Sequence, residues 1–409
     1  MEKVRVAIIG LGCRGELLAS IIADMEEAQI VAVCDLYEDR RVKAAEMVRK
    51  KRGYTPKIYA DYREILSDPS VDAVIIATSW DAHIRIATDC IRAGKVTALE
   101  VGGAYSVEEC ESLVRTYEQY KTPFMFLENC CYGKFELLST ALARKGILGE
   151  IVHCHGAYGH DLRGEVLGGR VNRHYRLQNY IERNCENYPT HELGPIARLL
   201  GINRGNKMRS LVSVASKAAG LKEFARSPRN PDPSLIGQDF VQGDIVNTLI
   251  TCEDGTTISL KLDTTLPRYY SREFTIRGTK GSCLQDINAV LLDDAGLEEF
   301  FEPQDSVKKY LGNAEKFADY LPDIWKNVEK DRLRCGHGGM DYLMLREFFR
   351  AVQEGRPMPI DVYDAATWMV ITPLSEQSIK NNGAPVAIPD FTGGYWKEHK
   401  LEDVVPLDR

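Results

Sequence analysis

The 409-residue chain is 44% hydrophobic and 27% charged, the composition of a globular protein long enough for two domains with separate cores. Its 52 basic and 59 acidic residues give a formal net charge of −7 without any long basic run, which argues against nucleic acid or an anionic membrane as the main partner. No apolar stretch approaches the roughly 20 residues of a membrane span.

Met1-Glu2-Lys3 leads directly into an apolar strand at 4–9, with no basic n-region, separate apolar h-region or twin arginine. No export signal is therefore expected, and the expected location is cytoplasmic. Further parallel strands are predicted at 30–34, 73–77, 96–99 and 124–127, with amphipathic helices near 15–24, 38–51, 82–93 and 106–119. Short, near-continuously apolar strands alternating with helices specify a parallel sheet covered on both faces, a Rossmann domain.

Beyond this region a helix at 134–144 leads to a strand at 151–155 and then to a polar, irregular stretch over 159–187. Strand-like segments dominate from about 210 to 292, including 246–252, 257–262 and 273–277. Tight turns such as Glu253-Asp254-Gly255 make these antiparallel. Residues 221–240, with Pro228, Pro231 and Pro233, read as a surface loop, and long helices are expected at 339–354 and 362–380. The expected fold is α/β: a Rossmann domain at 1–126, then an α+β domain at 127–360 with a large, open, mostly antiparallel sheet. A C-terminal helix and tail at 361–409 is expected to pack back toward the first domain.

Gly10-Leu11-Gly12-Cys13-Arg14-Gly15 forms a G-x-G-x-x-G element between the first strand and first helix. The first glycine permits the turn, the second lets backbone approach a pyrophosphate, and the third lets helix pack on strand. The hexapeptide is weak evidence by itself, but Asp35 ends the second strand 20 residues after Gly15, where a carboxylate can hydrogen-bond a ribose diol. A carboxylate there repels a 2′-phosphate, so NAD is favoured over NADP despite the neighbouring Arg40 and Arg41. Thr78, Ser79, Trp80 and His83 follow the third predicted strand, and Glu100-Val101-Gly102 follows the next, all at the carboxyl edge that faces a cofactor crevice. Trp80 could cover the nicotinamide side of that cofactor. His83 reads equally well as a cofactor contact or as a packing residue of the following helix.

In the second part, Tyr188-Pro189-Thr190-His191 precedes an apolar run. Pro189 suits a first helical position, making Tyr188 the cap and putting Tyr188 and His191 on one face. A phenol and an imidazole together can remove and return protons near neutral pH. Arg268-Tyr269-Tyr270-Ser271-Arg272 and Cys335-Gly336-His337-Gly338-Gly339-Met340-Asp341 are two further polar segments, either of which could be a plain loop. Eleven scattered cysteines with no paired Cys-x-x-Cys units, and histidines with no ligand spacing, point to reduced thiols and no metal site.

On these residues, with Leu127-Glu128-Asn129-Cys130-Cys131-Tyr132, Asp263-Thr264-Thr265 and Pro389-Asp390-Phe391-Thr392, the chain resembles the glucose–fructose oxidoreductase / inositol dehydrogenase / rhizopine catabolism (Gfo/Idh/MocA) superfamily. Within it, the chain is most similar to the NAD-dependent α-N-acetylgalactosaminidase family of glycoside hydrolases. The resemblance implies a mechanism unlike that of two-carboxylate glycosidases. NAD takes a hydride from sugar C3, the C2 proton is removed, the C1 group is eliminated, water adds, and the hydride returns.

The resemblance further implies that Tyr188, His191, Tyr270 and His337 are catalytic and that Tyr132, Arg176 and Arg268 contact substrate. Gly10, Leu11, Gly12, Cys13, Arg14, Gly15, Asp35, Thr78, Trp80, His83, Glu100, Val101 and Asn129 would line the NAD. Plain dehydrogenases of the superfamily commonly carry Glu-Lys-Pro where this chain has Glu100-Val101-Gly102, and their lysine moves the proton of the oxidised hydroxyl. Val101 cannot, which favours the glycosidase, although a sugar or cyclitol dehydrogenase remains the alternative. A non-catalytic sugar sensor would bind both ligands without turnover, and the density of Tyr, His and Arg argues against it. The chain departs from the glycosidase branch at Gly102, Cys185-Glu186-Asn187 and Glu192. A small glycoside and a homo-oligomeric state complete the expectations.

Overall fold

The computed structural model describes residues 2–293, 303–328 and 336–407, so Cys335 lies outside the described residues. Two compact units emerge, one of Met1–Asn129 with Val328–Val370 and one of Cys130–Asn327 with Ile371–Arg409. The sequence placed boundaries after residues 126 and 360. The division differs because the helix Met340–Glu354 packs against β1 and the helix that follows it in the first unit.

The first unit holds six parallel strands: β1 Val4–Ile9, β2 Ala28–Cys34, β3 Lys57–Tyr59, β4 Ala73–Ile76, β5 Val96–Leu99 and β6 Phe124–Phe126. Their order is β3-β2-β1-β4-β5-β6. β4 is completely buried, as expected for a strand with helices on both faces. The order reverses between β1 and β4, and loops at their carboxyl ends open the crevice where such sheets bind ligands. Gly10 sits there at φ +92°, and a Cβ on it would fall 2.6 Å from the Ala77 backbone. Only glycine fits that turn. The short edge strand β3, with two of its three residues exposed, carried no apolar signal and was missed.

The second unit holds β7 Ile151–Gly159, β8 Met208–Ala215, β9 Ile245–Cys252, β10 Thr257–Asp263, β11 Thr275–Gly278, β12 Gly281–Leu284, β13 Ala289–Leu292 and β14 Val386–Ala387. They form one sheet in the order β13-β12-β11-β7-β10-β9-β8-β14. Every pairing is antiparallel except β7 with β10. Alternation along β9 and β10 is strict: Val246, Thr248, Ile250, Ile258, Leu260 and Leu262 are buried on one face. That face is covered by helices, because the helix Thr190–Leu199 lies so close to β7 that a Cβ at Gly156 would meet Glu192. The other face stays open, with Val214 and Leu249 exposed.

The stretch expected to be irregular over 159–187 contains three short helices, Arg163–Leu167, Gly169–Asn172 and Arg176–Glu182. The proline-bearing loop likewise contains a helical turn at Gly220–Ala225. The expected helix over 362–380 breaks after Val370 into Val362–Met369 and Ile371–Lys380. Pro373 has no N–H to give the Met369 carbonyl, which accepts instead from Ala104 N at 3.1 Å. The first of these helices starts on an Asp361/Asp364 capping box.

Candidate active site

Within the first unit, the helix Cys13–Ala23 begins at Gly12, and no side chain caps its first turn. Its leading N–H groups are thus available to an anion, with the helix dipole adding to the attraction. A Cβ at Gly12 would have only the Arg40 guanidinium nearby, at 3.6 Å, whereas one at Gly15 would collide with the Gly10 carbonyl. Gly12 is therefore the open glycine and Gly15 the packing one. Asp35, buried at the end of β2, accepts from Leu11 N at 2.7 Å and Tyr37 N at 2.9 Å. It pins the glycine loop to β2, and each carboxylate oxygen retains a lone pair for a further donor. Leu36, beside it, is 83% exposed.

Thr78 and the helix Trp80–Arg92 follow β4. His83, in the first turn, puts Nε2 3.0 Å from the Thr78 carbonyl, while its buried Nδ1 has no hydrogen-bond partner among the described residues. Burial pushes this imidazole down to about 4. The neutral ring must then carry its proton on Nε2, leaving Nδ1 a buried acceptor without a donor. The Trp80 indole lies flush on the backbone of Gly102, where any Cβ would overlap it. That contact accounts for glycine at position 102.

Arg14 is engaged differently from the rest of its loop. Its Nε meets Glu100 Oε1 at 2.9 Å, and its two terminal nitrogens grip Asp341 Oδ2 and Oδ1 at 2.8 and 2.9 Å. Asn129 Nδ2 donates to Asp341 Oδ1 at 2.7 Å, and His337 Nδ1 lies 2.9 Å from Oδ2. Glu100 and Asp341 are buried, as is Val101, while the His337 side chain is 44% exposed. Asp341 thereby joins Arg14, Asn129 and His337, with Glu100 attached through Arg14; Asp341 is quoted in the sequence motif but given no role there.

In the second unit, Tyr188 and His191 come together: the phenol oxygen is 3.2 Å from His191 Nε2, with the rings edge to face at 4.8 Å. The helix starts at Thr190 with Pro189 as its cap, one residue later than expected. Tyr158, on the covered face of β7, packs its ring against Tyr188 at 4.5 Å and His191 at 5.6 Å. Its hydroxyl lies 3.3 Å from His160 Nδ1, and the His160 ring stands edge-on to Tyr270 at 5.2 Å. The buried Arg176 guanidinium sits 5.0 Å above the Tyr188 ring and pairs through Nε with Glu165 at 2.8 Å. Tyr270 accepts from Arg272 Nη1 at 3.2 Å, and Arg272 is held in turn by the buried Glu136. Desolvation pushes the Tyr270 hydroxyl up to about 12, so at neutral pH it is a phenol. Burial holds His160 below the usual imidazole range, so it too is uncharged.

The two remaining expected substrate residues are Tyr132 and Arg268. Tyr132 is fully buried in the single turn Asn129–Tyr132, and its carbonyl accepts from Trp325 Nε1 at 2.9 Å. Arg268 lies on the open face of the sheet. It pairs with Asp263 at 2.6 Å and with Glu273 at 3.2 Å, and Glu273 also binds Lys261 and His155 from that face. Its guanidinium occupies the space a Cβ at Gly159 would need. The motif placed Arg268 near the sugar, but Gly159, Asp263 and His155 carry it to the side of the sheet away from Tyr158.

Tyr158, His160 and Glu136 carry no sequence signal of their own, and Arg272 stands in the polar segment Arg268–Arg272 without a role assigned there. The first two follow a strand expected to stop at 155; extending its alternation to Gly159 puts Tyr158 on the covered face with Cys154 and Gly156. Glu186 was noticed only as a departure. It is fully buried, its backbone tied to Ser375 and Thr372, and burial pushes its carboxyl up to about 8 against partial relief from the backbone of Tyr188 and Leu262.

Residues 132–398 match the family model "Glycosyl hydrolase 109, C-terminal domain", and residues 4–127 match "Oxidoreductase family, NAD-binding Rossmann fold". The chain belongs to glycosyl hydrolase family 109. It is 36% identical to a glycosyl hydrolase family 109 protein of Stenotrophomonas maltophilia, covering 98% of this chain and 91% of that one. It is 37% identical to an alpha-N-acetylgalactosaminidase of Bacteroides fragilis, covering 97% and 94%. A levoglucosan dehydrogenase solved with NADH and levoglucosan shares the fold with a TM-score of 0.71, at 20% identity over 95% of this chain and 100% of that one. The family 109 enzyme is thus an NAD-dependent glycosidase of Gfo/Idh/MocA type. Among the described residues, the uncapped helix start, the open Gly12 and the acid ending β2 fit a dinucleotide. No helix among them is long and apolar enough to cross a membrane, and their ten cysteines are all free thiols, only Cys13 being exposed.

Proposed function

We propose that the enzyme cleaves small α-N-acetylgalactosaminides or closely related glycosides, with Tyr188 and His191 moving the protons. The observation that carries this reading is the 3.2 Å contact between Tyr188 and His191, built into one helix start and enclosed by Tyr158, His160 and Arg176. The names of several relatives support the sugar. Gly10, Leu11, Gly12, Cys13, Arg14 and Gly15 would hold the pyrophosphate and Asp35 the ribose, with Thr78, Trp80, His83, Glu100, Val101 and Asn129 lining the remainder. The His83 acceptor is what a ligand amide or hydroxyl would satisfy. Bound there, NAD supplies a reversible hydride acceptor at sugar C3.

The chain's own groups do the rest. His191 takes a proton through the Tyr188 hydroxyl, and Arg176 over the ring places positive charge near the phenol as negative charge develops. Because Arg272 donates to the Tyr270 oxygen, the Tyr270 proton remains free to be given to a sugar oxygen. His337 is assigned as a further acid/base group. Tyr132 is kept as a residue on the substrate side, whereas Arg268, held on the open face of the sheet, is not part of this assignment. The open sheet face, with exposed Val214 and Leu249, supports contact with a second copy of the chain, which light scattering tests. The free thiols support work in a reducing compartment such as the cytoplasm.

The test is a panel of nitrophenyl glycosides, following nitrophenol release and NADH absorbance together. Release over many turnovers without accumulating NADH is expected. Accumulating NADH without release would replace this reading with a sugar or cyclitol dehydrogenase.

A further inference from the structure

We infer that Asp341 is a positioning residue that fixes the proton of His337 on Nδ1 and leaves Nε2 as the working atom, while Arg14 of the cofactor loop holds the same carboxylate in place. The inference rests on the assignment of His337 to the active site and adds to it the partner, the tautomer and the link to the glycine loop.

The geometry is specific. Gly336, His337, Gly338 and Gly339 all have positive φ, at +42°, +45°, +65° and +97°, an unusual run in which His337 is the one residue bearing a side chain. A Cβ at Gly336 would overlap the Asp341 carboxylate, so the glycines let the loop fold tightly over that acid. Asp341 has no exposed surface, and its two oxygens receive four donors: Arg14 twice, Asn129 and His337. A carboxylate so surrounded stays ionised, and burial, which alone would raise its affinity for protons, is outweighed by His337 and Arg14. An ionised carboxylate only accepts, so the His337 nitrogen facing it must donate. Nδ1 carries the hydrogen, and in the neutral ring Nε2 is the base.

Arg14 acts against the dyad as well as through it. Its Nη1 lies 3.5 Å from His337 Nδ1, so a fixed positive charge stands beside the imidazole while the same guanidinium neutralises Asp341. Glu100 on the far side of Arg14 offsets part of that charge.

The test is long-range proton–nitrogen correlation on the histidine-labelled, NAD-bound enzyme, with His337 identified by the signals lost in His337→Gln. Above its titration, wild-type His337 is expected as a single Nδ1–H tautomer. Asp341→Asn, which keeps the shape without the charge, should release that tautomer and let Nε2–H signals appear, whereas Arg14→Gln should leave the Nδ1–H tautomer in place. A wild-type ring protonated on Nε2, or an Nδ1–H tautomer that survives undiminished in Asp341→Asn, overturns the inference; the wild-type spectrum decides even if a variant does not fold. Should the tautomer appear as expected while His337→Gln keeps full activity, the dyad stands and the catalytic assignment of His337 falls instead.

Discussion

The two faces of the eight-stranded sheet use the same residue types to opposite ends. On the covered face, Tyr158 from β7 meets Tyr188 and His191 with little solvent between them. On the open face, His153 and His155 from the same strand bond Thr257, Ser259 and Glu273 in a partly exposed ladder continued by Lys261 and Arg268. Adjacent residues of one strand point to opposite sides. A difference of one position in register therefore separates groups that can share a proton out of water from groups that hold charges in place on a surface.

The sharpest way to break that comparison is to remove one histidine from each face. His191→Ala is expected to lower kcat by roughly 10²–10⁴ with NAD binding intact, the usual contribution of a general acid/base group. His155→Gln should leave kcat/KM within about twofold. Equal losses, read by steady-state kinetics and NAD titration, would mean that the open face carries catalysis too. Tyr270→Phe removes the free phenol proton and is expected to fall between them, nearer to His191→Ala.

The covered face also carries an energetic liability. The Glu186 carboxyl ionises near pH 4.3 in the unfolded chain and only near 8 when buried beside Tyr188. The folded state thus holds a proton that the unfolded state has lost. Stability contributed by the neutral acid is fully present below pH 4.3, falls as pH rises to about 8, and is flat beyond. Glu186→Gln should raise Tm more at pH 8 than at pH 5; an equal rise at both would show that the buried acid is not protonated.

These contrasts explain what the sequence made legible. The Rossmann half could be read almost strand by strand, because buried parallel strands are continuous apolar runs and Gly10, Gly15 and Asp35 have backbone duties that other residues cannot perform. Tyr188 and His191 were legible for a similar reason, since three positions at a helix start fix their neighbourhood. Arg268 was not: a motif gives its neighbours in the chain, while its face depends on the register of β7 with β10. Glu136 and Arg272 pair across 136 positions of sequence, and Asp341 meets Arg14 across 327. Only tertiary packing creates such partners, so no local pattern announces them.

The smallest expected effect belongs to the open face and tests whether its charges do more than hold one another. Glu273 gathers His155, Lys261 and Arg268, and these partners hold its carboxyl down to about 2. Its folded-state affinity for protons lies below the unfolded one, so the stability it contributes is present above pH 4.3 and is lost as pH falls toward 2. Because Glu273 is partly exposed, solvent screening reduces that contribution to about 1–2 kcal/mol. Glu273→Gln should therefore cost about that much at pH 7 by urea unfolding and nothing near pH 2, with glycoside cleavage unchanged at neutral pH. A matching loss of cleavage would show that the ladder reaches through the sheet to Tyr158. Retention of cleavage would assign Arg268, Lys261 and His155 to the architecture of the sheet, and would leave the proton chemistry to the residues that alternate with them.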